Sequence, residues 1–271
     1  LQAGTADLVV SIDSDAAAQL SSNSAVKVLS APTERVAFMG MNLDKPPFNN
    51  KEMRKAASLA IDRLGITEGL LQAGEIPMAQ LSSPAHFGYN PNIKPFEYDL
   101  AAAKVITAAN ADLASTPATL ATAPVFDQRI VQAIQQMLND AGFNVSISMT
   151  DMTTFLGIVR SDPADNSELN FGRWSCACQD ADGIAYPLLH SASNWSRLNL
   201  SGIDALLETA RSSMDLDVRQ AAYNEVHQMV RDNYYSLPLY QAAVLYGSTS
   251  GLNFKPTANE SMFLNRMSVS E

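Results

Sequence analysis

A layered α/β fold, a mixed sheet flanked by helices, is what this sequence predicts. Strand-like runs alternate along the chain with helical patterns of about 10 to 17 residues. Hydrophobic residues make up 46% of the 271, enough for a sizeable core and too many for a disordered chain. No internal repeat or low-complexity tract points to a solenoid or fibre.

The elements follow in order. Residues 7 to 12 and 35 to 43 (RVAFMGMNL) form short buried strands on either side of a small polar, alanine-rich region. NNKEMRKAASLAIDRLGI is a helix: Asn49 with Glu52 three residues on is an N-terminal signature. Met53, Ala57, Ala60, Ile61 and Leu64 fall on one face of it. Residues 73 to 98 form a long Gly, Pro, Ser and Asn-rich loop, and loops of that length are often functional. Asp99 caps a second helix and Asp127 a third, in which Ile130, Ile134, Met137 and Leu138 face inward and Gly142 marks the end. Phe143, Val145, Ile147 and Met149 alternate with polar residues, the pattern of a half-buried strand. A short helix near 152 to 159, a strand at ELNFGRW, helices near 201 to 213 (opened by Ser201 with Asp204) and 216 to 233, and the strand SLPLYQAAVLYG complete the chain.

The formal net charge of −10, with no dense Lys/Arg stripe, argues against nucleic acid or an anionic membrane as partner. No run approaches the ~20 apolar residues of a membrane span. The opening LQAGTADLVV lacks an initiator methionine and reads as the interior of a longer protein.

Chemistry concentrates in FGRWSCACQDADG, residues 171 to 183. Cys176 and Cys178 are the chain's two cysteines, which excludes a disulfide framework. A bridge between residues two apart is expected to be strained, and C-x-C is not the C-x-x-C of thioredoxin-like enzymes. A closed zinc site wants four N or S ligands, and only Asp180 and Asp182 stand near the pair. The expected reading is two small, free thiols on one side of an extended segment; a metal- or redox-active protein using Cys176 and Cys178 is the alternative. The three histidines, His86, His190 and His227, are far apart in sequence, and His190 reads as a structural residue near a strand end. Asp180 and Asp182 read as solvated or capping carboxylates. No G-x-S-x-G elbow and no phosphate-cradling glycine motif occurs, so nothing indicates an enzyme, and no cofactor or metal is expected. Trp174 and Trp195 sit among small and polar residues, as pocket-lining aromatics do.

Five segments in order carry a resemblance: MNLDKPPFNNKEMRKAASLAIDRLGI, YDLAAAKVITAAN, QAIQQMLNDAGFNVSI, RWSCACQDADGIAYPLLHSASNWSRLN and IDALLETARSSMDLDVRQAAYNEVHQMVRDNYYSLPLYQ. Over residues 35 to 245 they resemble the bacterial extracellular solute-binding proteins of family 5, the oligopeptide, dipeptide and nickel type. The resemblance implies the second lobe of a type II-like periplasmic binding protein, serving a membrane ABC permease from the periplasm, or as an extracellular, membrane-associated protein. It implies that residues 37 to 240 are that lobe and that residues 1 to 36 and 241 to 271 belong to the first lobe, the rest of which this chain lacks. Its ligand would be a small molecule or peptide-like solute held between the lobes. The residues it places at the ligand are Arg173, Trp174, Ser175, Cys176, Ala177, Cys178, Asp180, Asn194 and Trp195, with His86, Phe87 and Tyr89 from the long loop. In peptide-binding members an aspartate three residues after the tryptophan receives the ligand's ammonium group. Here that position is Ala177, so a free peptide N-terminus is not the expected cargo; Asp180 could substitute only if its loop is re-routed. Arg173 instead suggests a carboxylate or phosphate. The cargo class is then a modified peptide, an opine or a sugar conjugate.

Overall fold

The computed structural model describes residues 1–270. Its order is β1 (Leu8–Ile12), α1 (Ser14–Leu20), β2 (Val26–Met41), α2 (Lys51–Ala60), a π-helical turn (Gly65–Leu71) and β3 (Ile76–Pro77). Then come α3 (Leu100–Ala109), α4 (Ala111–Ala114), β4 (Pro117–Thr122), α5 (Gln128–Asp140), β5 (Asn144–Met149), α6 (Met152–Arg160) and β6 (Leu169–Trp174). The chain continues through α7 (Asp182–Leu189), α8 (Ser201–Ser212), α9 (Leu216–Asn233) and β7 (Ser236–Thr249) to the short hairpin pair β8 (Leu252–Asn253) and β9 (Ser268–Val269).

The main sheet runs β1-β7-β2-β6-β4-β5, with β3 pairing β7. It is mixed: β4 is parallel to both β5 and β6, while β2 is antiparallel to both β6 and β7. The parallel part arises from β4-α5-β5, a strand-helix-strand unit whose helix lays Ile130, Val131, Ile134 and Leu138 into the core. Asp127 caps that helix through the Arg129 amide, and Asp99 caps α3 through the Ala102 amide, both as the sequence predicts.

A large core lies between the sheet and α2, α3, α5 and α6, with Met39, Met53, Leu120 and Phe171 at its centre. A second cluster joins α7, α8 and α9, built on Ile184, Ile203, Leu207, Tyr223 and Val226, with Phe38 of β2 reaching into it. Where these two clusters meet, along β2 and β6, the candidate site forms.

Several local expectations are corrected. The cap of α2 is Asn50, not Asn49: its side chain accepts from the Glu52 and Met53 amides. The helix ends at Ala60, so Leu64 falls outside the amphipathic face and is 57% exposed. Ser201 begins α8 without capping it; Asp204 instead accepts from the Ser191 amide at 2.9 Å. The strand expected at 35 to 43 runs instead from Val26 to Met41, because β7 pairs with it on both sides of an irregularity between Pro32 and Val36; full burial begins only at Ala31. Met149, at the end of β5, is 55% exposed. Three elements carry no strong local signal: α1, β4 (all Pro, Ala, Thr and Leu) and α7, which contains Pro187.

Candidate functional site

Antiparallel pairing of β2 with β6 sets Phe38 opposite Gly172 and Gly40 opposite Asn170. A Cβ at Gly172 would come to 3.0 Å from the Phe38 ring, and one at Gly40 would collide with the Asn170 amide oxygen. The two glycines therefore let the Phe38 ring and the Asn170 side chain lie flat against the sheet there. Over it, α6, the end of α7 and the segment 195–198 enclose a cavity of about 270 Å³. Its walls are mainly apolar, with Phe38, Phe126, Phe155, Leu156, Leu189 and Trp195 prominent.

Among the described residues the charged ones lining this cavity are three arginines, Arg35, Arg173 and Arg197, and no carboxylate. Two of the three are engaged. Arg35 donates to Glu260, with Nη2 at 2.8 Å from the carboxylate. Arg197 donates to the Ser167 carbonyl at 2.9 Å and the Asn166 side-chain oxygen at 2.6 Å, and desolvation brings its pKa down to about 10. Arg173 makes no ion pair or hydrogen bond among the described residues; its guanidinium lies 5.6 Å from the Phe126 ring centroid. Its side chain opens to solvent at the cavity mouth, yet partial desolvation is the largest influence on it and lowers its pKa. The nearby Tyr240 opposes that shift, and Arg35 adds to it. An anion arriving at Arg173 would relieve both burdens.

Trp174 is held by its indole N–H, which donates to the Gly183 carbonyl at 2.9 Å. Trp195 packs against it edge to face, centroids 4.9 Å apart, and the Arg160 guanidinium covers Trp195 at 3.8 Å.

Of the residues singled out in the sequence, Arg173, Trp174 and Trp195 line the cavity. Ser175, Cys176, Ala177, Cys178 and Asp180 lie in the turn that follows β6, and Asn194 is exposed beside Trp195. Of the long-loop residues, Phe87 packs against the second cluster, and the Tyr89 carbonyl accepts from Gln220 of α9. The Phe87 amide donates to Gln179 and its carbonyl accepts from Ala181, so the long loop is stitched to the 176–181 turn. Phe87 stands edge-on to Tyr223 of α9, and His86 is buried. Arg35, Phe126, Asn170 and Arg197 were not singled out in the sequence. Only Asn170 carries a local signal, since it alternates with Gly172 and Trp174 along β6.

The cysteines need correction. The sequence predicts free thiols on an extended segment; in the structure Cys176 and Cys178 form a disulfide. The physical reason is that the chain turns after Trp174: the Gln179 amide donates back to Cys176, and the two Cα atoms come to 5.1 Å, within bridging range and short of the ~6.6 Å of an extended strand. The pair seats against Gly183 in the first turn of α7. Neither sulfur is then a thiolate available to a metal, and no cluster of three His, Cys, Asp or Glu able to hold one exists among the described residues.

Asp180 is also spoken for. Its carboxylate accepts from Arg219 Nη2 at 2.8 and 2.9 Å and from the Asp182 amide at 2.9 Å. His190 ends α7 rather than a strand, stacked on Tyr186 with Nε2 3.2 Å from Glu208.

The model of the bacterial extracellular solute-binding proteins, family 5 Middle, matches residues 1–196. The chain belongs to this family. Heme-binding protein A of Haemophilus influenzae is 28% identical over 252 residues, covering 88% of this chain and 45% of that protein. The glutathione-binding protein GsiB of Salmonella typhimurium is 24% identical over 241 residues, covering 85% and 47%. Among solved structures, HbpA2 of Haemophilus parasuis superposes over all of this chain and 55% of its own, with a TM-score of 0.87 at 20% identity. The periplasmic binding protein DppA of Helicobacter pylori, in complex with peptide STSA, does so with a TM-score of 0.85 at 21% identity, over 54% of its chain. The chain thus spans about half the length of the relatives it matches. It shares the mixed α/β fold of these transport-associated binding proteins. Among the described residues no helix is long and apolar enough to cross a membrane.

Proposed function

We propose that this family 5 chain forms one wall of the ligand cleft in a periplasmic, or extracellular and membrane-associated, substrate-binding component of an ABC importer. It has no catalytic role: it holds its solute and presents it to a membrane permease. Residues 37 to 240 act as one lobe, residues 1 to 36 and 241 to 271 connect to the other, and the lobes close over the ligand. The cargo is an acidic solute of the modified-peptide, opine or sugar-conjugate kind, gripped by Arg173 beside Trp174.

One observation carries this choice of cargo: among the described residues every charged residue lining the cavity is an arginine, and only the Arg173 side chain lacks an ion-pair or hydrogen-bond partner. An ammonium group would meet cations and no anion, at a cost of several kcal/mol if desolvated. Asp180 does not remedy this, because Arg219 already neutralises it. A carboxylate, in contrast, matches the planar guanidinium fork.

Thermal shift distinguishes the possibilities. Ligand at 100 times its dissociation constant adds about 2.7 kcal/mol of stability. N-acetylated dipeptides and opine-like dicarboxylates are expected to raise the midpoint, and dipeptide amides, which carry only the ammonium, are not. Stabilisation by the amides would overturn the acidic-cargo reading.

A further inference from the structure

We infer that the acidic ligand is an amphiphile, a carboxylate bearing an aryl or acyl group of roughly six to eight carbons that occupies the apolar cavity behind Arg173. This rests on the reading of Arg173 as the anion's partner and adds what the rest of the ligand must be. Among the proposed cargo classes this favours an acyl- or aryl-bearing acid over a sugar conjugate, which would need donors and acceptors along its length. Beyond the arginines, the cavity offers few: Asn170, Tyr235 and Ser236 are its other polar side chains, with the indole N–H of Trp195, while that of Trp174 is already given to the Gly183 carbonyl. Its remaining wall is aromatic and aliphatic, from Phe38, Phe126, Phe155, Leu156 and Leu189. A volume of about 270 Å³ exceeds what a benzene ring needs, since engineered apolar cavities near 150 Å³ take one up. Arg173, the lining cation without a partner among the described residues, stands beside these apolar walls, so head and tail would be recognised together. Each methylene moved from water into such a wall tightens binding by about fourfold.

The chain carries its own reporter. It has two tryptophans, and both line this cavity. Tryptophan emission excited at 295 nm is read while the 271-residue chain is titrated with 4-phenylbutyrate, butyrate and 4-phenylbutylamine. The expected result is saturable change with 4-phenylbutyrate at concentrations at least tenfold below those needed for the other two. Arg173→Met should weaken 4-phenylbutyrate at least tenfold. Leu156→Phe, a change on a half-buried helix face that narrows the cavity, should weaken 4-phenylbutyrate by a larger factor than butyrate. Circular dichroism checks that both variants are folded.

Equal binding of butyrate and 4-phenylbutyrate would overturn the amphiphile and leave the anion reading standing. Equal binding of 4-phenylbutyrate and 4-phenylbutylamine, unaffected by Arg173→Met, would overturn the anion reading and leave an apolar pocket. Silence with all three probes would overturn both.

Discussion

Asp180 and Arg219 tie the turn after β6 to α9, and the tie is partly buried, with side-chain exposures of 25% and 18%. Replacing Asp180 by Asn keeps the shape and removes the charge. We expect a loss of about 1–2 kcal/mol in urea unfolding, a modest figure because solvent still reaches the pair. A change below about 0.3 kcal/mol would show the carboxylate to be free for other work. His227 makes a different prediction. It is buried on α9 with Nε2 unpartnered, and desolvation lowers its pKa from 6.5 to about 4. His86, buried nearby, is shifted the same way, also chiefly by desolvation, with Asp180 acting against the shift. A folded pKa below the unfolded one favours the neutral ring. Its contribution is whole above pH 6.5 and drains away as pH falls through the window down to about 4. For His227 this amounts to roughly 3 kcal/mol. In His227→Gln, unfolding free energies measured from pH 7 to 4 should fall by about that much less than in the parent. Parallel curves would mean that His227 protonates without penalty.

At the scale of elements, caps and close approaches decide where segments stop and dock. Asn50→Ala removes the acceptor for two amides of α2 and should cost about 1 kcal/mol, while Asn49→Ala should be nearly neutral. Chemical denaturation of the two variants separates them, and the reverse ranking would move the cap. Gly88 sits at φ +88°, and a Cβ there would stand 2.6 Å from Ala181 Cβ and 2.7 Å from Tyr223 Cδ2. Gly88→Ala should therefore cost at least about 2 kcal/mol, because neither neighbour can retreat from the α7–α9 cluster. A loss under about 0.5 kcal/mol would show that the long loop is not packed there. Elements with a strong local code, such as α3 and α5 with their aspartate caps, are legible in the sequence. β4 is not, since PATLAT lacks the β-branched aliphatics and aromatics of a typical strand and becomes one only by lying between β5 and β6. The cysteine bridge is hidden for a similar reason: it depends on a turn that Phe87, from a distant loop, helps to hold.

The whole molecule decides the site's charge. Trp174 and Arg173 announce themselves within one short segment, whereas Arg35 and Arg197 reach the same cavity only through the β2–β6 pairing and the return of the chain after α7. No local window could show that three cations converge and that their compensation is uneven. The C-terminal stretch sets that imbalance. Glu260 lies 225 residues from Arg35, and its carboxylate holds the guanidinium through both Nε and Nη2. It also favours the charged form of Arg173, which Arg35 opposes. Removing the negative charge with Glu260→Gln should leave Arg35 as a second uncompensated cation at the cavity wall. An acidic probe should then bind several-fold more tightly at low ionic strength, and the gain should shrink as salt rises past ~0.1 M, where exposed charges are screened beyond about 10 Å. The tryptophan titration with 4-phenylbutyrate, run in parent and variant at low and high salt, measures both effects. Unchanged affinity at low salt would mean that Glu260 serves only to fasten the C-terminal stretch to β2. Weaker binding would mean that Arg35 must be held in place for the cavity to keep its shape.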